Sequence, residues 1–209
     1  MGINVLYTMR NIIYCWKYLL ALPHLLYFAF SNRSTKQLVN EDVDEMNRRC
    51  KLNKGLAYYL VNRKPYRNIF YFRMKNKWVK VLKWLLPEYS GFYITSNVKR
   101  ILGGVFALNH PYGTILNAKE IGKNFVFCQL TTLGNKEHGQ NDLTPVIGDN
   151  VSLGANVNII GNIKIGNNVI VGAGSVVVKD VPDNCAVAGN PAKIIKYFND
   201  EESSDSRSI

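Results

Sequence analysis

The residue types most often used for catalysis or metal binding are few and scattered in this chain. A zinc site or a redox-active cysteine pair needs ligands at close spacing, and no two cysteines or histidines stand close together, so we expect neither. A disulfide framework is equally unexpected, and we interpret the thiols as free in a reducing compartment. A histidine with a near-neutral pKa can act as a general base, and His110 lies in the segment LNHPYG just before a run of repeats. The three histidines are His24, His110 and His138, and the four cysteines are Cys15, Cys50, Cys128 and Cys185.

A six-residue period runs through the second half of the chain and predicts its fold. Large apolar residues recur at every sixth position in two phases, and glycine often follows them. A period of six is typical of a parallel β-helix, in which each hexapeptide forms a short strand and a turn, and three make one triangular coil. The repeated residue then points inward, and stacked coils bury a continuous apolar core. The predicted inward positions are Ile115, Ile121, Phe127 and Leu133, followed by Ile147, Leu153, Ile159, Ile165, Val171 and Val177.

Glycine and asparagine at the predicted corners fit the sharp turns of such a coil. The segments 148–150 (GDN) and 166–168 (GNN) are examples, and both residue types tolerate a positive φ. The step from Leu133 to Ile147 is 14 residues, two more than two hexapeptides. Its polar residues cannot enter an apolar core, so we expect an extruded loop, and such loops often carry function.

The first half of the chain has a helical pattern. We expect one helix over residues 4–30 with a break near Pro23, a second from Asn40 to about Asn62, and a third from Pro65 to Pro87. The apolar segment before Asn32 allows three interpretations: a helix buried in an oligomer core, an interfacial membrane helix, or a spanning helix. Lys17, Pro23 and His24 argue against spanning, and the sequence does not decide among the three.

The net charge of +11 belongs entirely to the first half. Residues 1–100 hold 18 Lys/Arg and 5 acids, whereas residues 101–209 hold 8 Lys/Arg and 10 acids. The basic half shows no recognisable motif that reads nucleic acid, so no nucleic-acid partner is expected. The sequence therefore divides into an α-helical region over 1–90, for oligomerisation or membrane-surface contact, a β-helix over 91–196, and a disordered acidic tail over 197–209.

The repeats, the extruded loop and the closing segment GAGSVVVKDVPDNCAVAGNPAKII (172–195) together resemble the serine acetyltransferase branch of the hexapeptide acyltransferases. The resemblance extends from about residue 92 to residue 196. It implies a mainly β fold, a left-handed parallel β-helix preceded by helices, assembled as a homotrimer that some members pair into a hexamer. It also implies direct transfer of an acetyl group from acetyl-CoA to a hydroxyl, without a metal.

Carried over residue by residue, the resemblance gives His110 the position of the general base. The family's serine-specific members have an aspartate before this histidine, where this chain has Asn109, and Thr95 replaces the carboxylate that orients the base. An Arg-His pair that contacts the amino acid's carboxylate is replaced by Leu143-Thr144. These four residues and His138, in the same loop as Leu143, form the predicted acceptor site. Their loss of charge favours a neutral, hydroxyl-rich acceptor such as a sugar.

The predicted acetyl-CoA site also follows from the resemblance. Small side chains let the pantetheine arm lie against the backbone, glycine and asparagine open the loop near the thioester, and lysines approach the CoA phosphates. The small side chains are Ala155 and Ala173, the residues near the thioester are Gly134 and Asn135, and the lysines are Lys179 and Lys193.

The sequence thus predicts a cytoplasmic acetyl-CoA-dependent O-acetyltransferase, acting on a sugar in surface polysaccharide biosynthesis. Serine O-acetyltransferase is the first alternative, and a non-catalytic trimeric scaffold that docks on a membrane is the second. Three points stay open: association with the inner face of the membrane through residues 4–32, the identity of the acceptor, and the choice between trimer and hexamer.

Overall fold

The computed structural model describes residues 2–74, 77–107, 111–137, 139 and 143–199, with side chains from Cys15 onward. The helical pattern of the first half forms five helices. The second helix begins at Arg33, where Asn32 Oδ1 accepts a hydrogen bond from Thr35 N, and it ends at Cys50, before Lys51 with its left-handed φ of 51°. The predicted single helix from Asn40 to Asn62 is therefore two helices, and so is the predicted helix over 65–87. The helices are α1 (Gly2–Ala29), α2 (Arg33–Cys50), α3 (Leu56–Asn62), α4 (Lys64–Met74) and α5 (Val79–Leu85).

Helix α1 contains Pro23 and packs on α3 and α5. His24 is fully buried, and its ring nitrogens lie 3.1 Å from Leu20 O, 2.9 Å from Tyr71 Oη and 3.1 Å from Leu82 O. Within the described part of the chain, no helix is both long enough and apolar enough to cross a membrane.

The second half is a parallel β-solenoid of about four coils, as the period predicts. Each of the first four coils contributes one strand to each of three sheets. β13 and β14 belong to a further, incomplete coil, and β15 folds back antiparallel on β14 at the end. The first sheet contains β1 (Phe92–Ile94), β4 (Thr114–Leu116), β7 (Thr132–Gly134), β10 (Asn158–Ile160) and β13 (Val176–Val177). The second contains β2 (Arg100–Ile101), β5 (Glu120–Ile121), β8 (Val146–Ile147) and β11 (Lys164–Ile165). The third contains β3 (Phe106–Ala107), β6 (Val126–Phe127), β9 (Ser152–Leu153), β12 (Val169–Val171), β14 (Cys185–Gly189) and β15 (Ala192–Tyr197).

Three corners join the sheets. We name the first corner as the links from the first to the second sheet, the second corner as those from the second to the third, and the third corner as those from the third back to the first. The inward residues of each sheet stack into one buried column. The columns are Leu116, Leu133, Ile159 and Val177; Ile101, Ile121, Ile147 and Ile165; and Phe127, Leu153, Val171 and Val187.

One predicted inward position is wrong. Ile115 is exposed, and its neighbour Leu116 is fully buried and pairs with Leu133. The reason is that the link from Leu116 to Ile121 is five residues long instead of six. Leu133 and Ile147 lie on the consecutive strands β7 and β8. They are 14 residues apart instead of six, which agrees with the extruded loop expected between them.

Gly148 and Gly166 serve a purpose different from the one predicted. In the segments 148–150 and 166–168 the positive φ angles belong to asparagines, with 56° at Asn150 and 52° at Asn168. A Cβ atom at Gly148 would lie 2.5 Å from the carbonyl oxygen of Gly166 in the next coil. Glycine is needed at this position because the coils approach each other too closely for a side chain.

Candidate active site

The first corner carries a chain of neutral polar side chains. Thr95 Oγ1 donates to Asn117 Oδ1 at 2.9 Å, and Asn97 Nδ2 donates to the same oxygen at 3.2 Å. Asn117 Nδ2 in turn lies 3.4 Å from Asn135 Oδ1, in the next coil. The structure therefore connects Thr95 and Asn135, which the resemblance assigns to the acceptor and cofactor sites. Asn117, which joins them, was not predicted. The sequence period places Ile115 inward instead of Leu116 and is therefore one residue out of register at this corner.

The extruded loop leaves the solenoid at this corner. Gly134 O accepts a hydrogen bond from Gly161 N at 2.8 Å, which fixes the last residue of β7 against the coil above. Asn135 Nδ2 then donates to Glu137 O and turns the chain outward. Where the loop returns, Thr144 is buried and Leu143 is exposed. Neither of these two side chains carries a charge, so the loop's return offers no partner for a carboxylate.

The third corner brings the other cofactor residues into line. Gly174 N donates to Ala155 O at 2.8 Å, so that the segments holding Ala155 and Ala173 stack directly on each other. A Cβ atom at Gly154 would lie 2.7 Å from Ala173 N, which leaves a smooth surface of backbone and small side chains. Lys193 pairs with Ala188 in the β14–β15 hairpin and is exposed at the end of the same corner. Such an edge fits an extended arm that lies along the backbone.

Lys179 lies elsewhere. It follows β13 at the first corner and is exposed, on the same corner as Asn135. The structure of one chain therefore does not bring Lys179 and Lys193 together. His110 and Asn109, on the link from β3 to β4, and His138, on the link from β7 to β8, lie outside the described residues. Their predicted roles stay predictions.

A pocket of about 280 Å³ lies between the helices and the third sheet. On the solenoid side it reaches Ala107, the residue that precedes the LNHPYG segment. On the helical side, Tyr59, Arg63 and Tyr66 contribute rings and a guanidinium group. Tyr66 Oη is buried and has no hydrogen-bond partner among the described residues, and burial raises the pKa of this phenol well above its ordinary value. The pocket thus combines aromatic surface with polar groups and reaches Ala107, which precedes the predicted base by three residues in the sequence.

No three His, Cys, Asp or Glu side chains within the described ranges come together in a way that could hold a metal ion.

Comparison with known proteins agrees with this geometry. Residues 144–179 match the family model described as "Bacterial transferase hexapeptide (six repeats)". Serine acetyltransferase 4 of Arabidopsis thaliana is 41% identical over 104 residues, which cover 49% of this chain and 29% of that protein. The "Putative colanic acid biosynthesis acetyltransferase WcaB" of Escherichia coli K12 is 44% identical over 94 residues, or 44% of this chain and 57% of that protein. The chain thus spans 29% and 57% of the length of these two relatives.

Solved structures match over a longer stretch, which includes helices. The serine acetyltransferase (CysE) of Neisseria gonorrhoeae superposes with a TM-score of 0.68 at 27% identity, covering 84% of this chain and 72% of that one. The same enzyme in complex with serine gives a TM-score of 0.64 at 31% identity, covering 78% of this chain and 69% of that one. Repeat, fold and sequence therefore agree, and the chain belongs to the serine acetyltransferase-like family of hexapeptide-repeat acyltransferases.

Proposed function

We propose that this protein is an acetyl-CoA-dependent O-acetyltransferase whose acceptor is a neutral sugar hydroxyl in surface polysaccharide biosynthesis. One observation carries the choice of acceptor. Where serine-specific members of the family have charged groups, this chain has Asn109, Thr95 and the uncharged pair Leu143-Thr144, and Thr95 donates a hydrogen bond to the neutral side chain of Asn117. Side chains of this kind bind hydroxyl groups, whereas they offer neither charge of a zwitterionic amino acid an oppositely charged partner.

In the proposed reaction, His110 accepts the proton of the acceptor hydroxyl as the oxygen attacks the thioester carbonyl of acetyl-CoA. The C–O bond forms, and backbone N–H groups stabilise the tetrahedral oxyanion. The C–S bond then breaks, and the CoA thiolate takes the proton from the histidine. Atoms and charges balance without a metal or a redox partner.

A homotrimer is part of this proposal. The first sheet separates the third corner, with Ala155, Ala173 and Lys193, from the first corner, with Asn135 and Lys179. Its strands are two or three residues long, so the two edges lie about 10 Å apart in one chain. A groove between two copies, with the third corner of one facing the first corner of the other, would unite both sets of residues around one acetyl-CoA. Closed cyclic symmetry repeats that groove once per subunit.

The pocket beside Ala107 fits the acceptor. Its tyrosine rings offer flat apolar surface, and Asn62 and Arg63 offer donors for hydroxyl groups. The WcaB relative is described as acting in colanic acid biosynthesis, which is consistent with a carbohydrate acceptor. Serine is the competing acceptor, because serine acetyltransferases are also among the relatives.

The decisive experiment measures CoA thiol release with acetyl-CoA and either serine or a panel of sugars. We expect turnover with a sugar and none with serine at cellular concentration. His110→Ala should lower kcat by about 10²- to 10⁴-fold at an unchanged melting temperature. Turnover with serine would reject the sugar acceptor, and near-full activity of His110→Ala would reject the assigned base. Absence of both turnover and acetyl-CoA binding would favour the non-catalytic scaffold.

A further inference from the structure

Helix α1 has two apolar faces, and only one of them is buried. Ala21 and His24 lie fully inside, against the other helices. The opposite face presents a stripe of large apolar side chains that are 51–88% exposed. Their spacing of three or four residues places them in one row along the helix. The row consists of Trp16, Leu19, Leu22, Leu26 and Phe30.

Helix α5, which packs against α1, carries a second group of exposed apolar side chains. It contacts α1, and the carbonyl oxygen of Leu82 lies 3.1 Å from His24 Nε2. Val79 and Leu82 face inward, whereas Trp78, Val81 and Trp84 are exposed by 58%, 50% and 80%. All three tryptophans of the chain are therefore exposed on these two neighbouring segments. We call the row on α1 and these three residues the apolar surface.

The charge around the apolar surface is mainly positive, although Glu88 pairs with Lys83 at 2.8 Å next to Trp84. Residues 1–40 and 51–87 contain 14 Lys/Arg and no Asp or Glu. Lys77 and Lys80, which flank Trp78 and Val81, are both exposed. A second copy of this chain placed on the same surface would bring two basic faces together, at a cost in electrostatic free energy. An anionic surface would instead gain from each exposed lysine.

We propose that the apolar surface docks on a lipid bilayer that contains anionic phospholipid. Helix α1 lies in the plane of the bilayer, with its exposed row in the boundary between headgroups and acyl chains. The tryptophans sit at the interface, which their amphipathic rings prefer, and the lysines contact the phosphates. The proposal does not depend on acetyl transfer, so the two can fail separately.

The test uses the full chain and vesicles of phosphatidylcholine alone or mixed with phosphatidylglycerol. We expect the protein to sediment with the mixed vesicles, to bind phosphatidylcholine at least tenfold more weakly, and to be released by salt. Because all three tryptophans belong to the apolar surface, their emission should shift to shorter wavelength only with the mixed vesicles. Unchanged tryptophan emission, or equal partition to both kinds of vesicle, would overturn the proposal.

Two variants locate the contact. Leu26→Glu and Trp84→Glu should each weaken vesicle binding by about tenfold or more. The matched control is Ile195→Glu, which places the same charge on an equally exposed apolar residue of β15 and should bind as the unsubstituted protein does. Equal release of the control and Leu26→Glu would overturn the proposal. So would a halved solution mass of Leu26→Glu with intact vesicle binding, since a second copy would then cover the apolar surface.

Discussion

The solenoid and the helical region are stabilised by different kinds of contact. In the solenoid each interaction recurs once per coil: Asn124, Asn150, Asn168 and Asn184 form a ladder at the second corner, with amide hydrogen bonds of 2.7–2.8 Å. In the helical region each buried polar contact occurs once. Arg67, for example, donates to Leu60 O, Val61 O and Pro87 O, and no other described arginine repeats that arrangement. When one contact of the ladder is lost, the equivalent contacts in the other coils remain. When a contact that occurs once is lost, no equivalent contact remains.

The two regions meet at one buried ion pair. Arg73 on α4 contacts Asp42 on α2 at 2.6 and 2.8 Å and donates to Ile101 O and Leu102 O. Asp42 accepts hydrogen bonds from Gly104 N and Val105 N at 3.0 and 3.1 Å. These backbone groups belong to the first coil, which has no coil before it. The pair therefore forms hydrogen bonds with the backbone of the first coil, whereas each later coil forms such bonds with the coil before it.

The largest effect on stability should come from breaking this pair. Arg73→Ala would leave Asp42 buried without its counterion, and we expect the free energy of unfolding to fall by about 3–5 kcal/mol in urea denaturation. The matched control is Arg48→Ala, which breaks the half-exposed pair with Glu45 on the same helix and should cost less than about 1 kcal/mol. Equal losses in the two variants would mean that the ion pair is not the junction between the regions.

The next effect tests the register of the solenoid. Leu116 is fully buried in the first column, so Leu116→Ala should lower the free energy of unfolding by about 2–5 kcal/mol. Ile115 is exposed beside it, and Ile115→Ala should change stability by no more than about 0.5 kcal/mol. A larger loss for Ile115→Ala than for Leu116→Ala, measured by thermal or urea unfolding, would mean that Ile115 is the inward residue, as the uninterrupted period predicts.

Repetition also explains what the sequence could and could not predict. The columns from Ile121 onward follow from the period because each coil confirms the one before it. The period failed at Leu116, where a link lost one residue, and Asn117 was missed with it. The Asp42–Arg73 pair joins residues 31 positions apart without any repeat, so nothing in the sequence pattern indicates it. The uncharged residues of the proposed acceptor site can be read from the sequence, because replacing a charged residue changes residue type rather than spacing.

A smaller effect should follow from the asparagine ladder. Asn168 has a φ of 52°, accepts from Asn150 and donates to Asn184. Asn168→Ala removes both hydrogen bonds and strains the left-handed backbone, and should cost about 2 kcal/mol of unfolding free energy. Asn168→Gly removes the same hydrogen bonds without the strain, so it should recover about 1 kcal/mol of that loss. Equal melting temperatures for the two variants would show that backbone conformation does not select asparagine here.

The smallest effect returns to a single contact of the helical region and depends on pH. Burial lowers the pKa of His24 below its ordinary 6.5, although the carbonyl groups of Leu82 and Leu20 oppose the shift. Below about pH 6.5 the unfolded chain binds a proton at this histidine that the folded chain does not, so stability falls as pH falls, by less than about 1.4 kcal/mol per pH unit. His24→Gln cannot bind that proton, and its unfolding free energy should decline less between pH 7.5 and 5.5 than that of the unsubstituted protein. Parallel declines in urea titrations would mean that His24 binds its proton equally well in the folded and the unfolded chain. The contact between α1 and α5 would then be insensitive to acid.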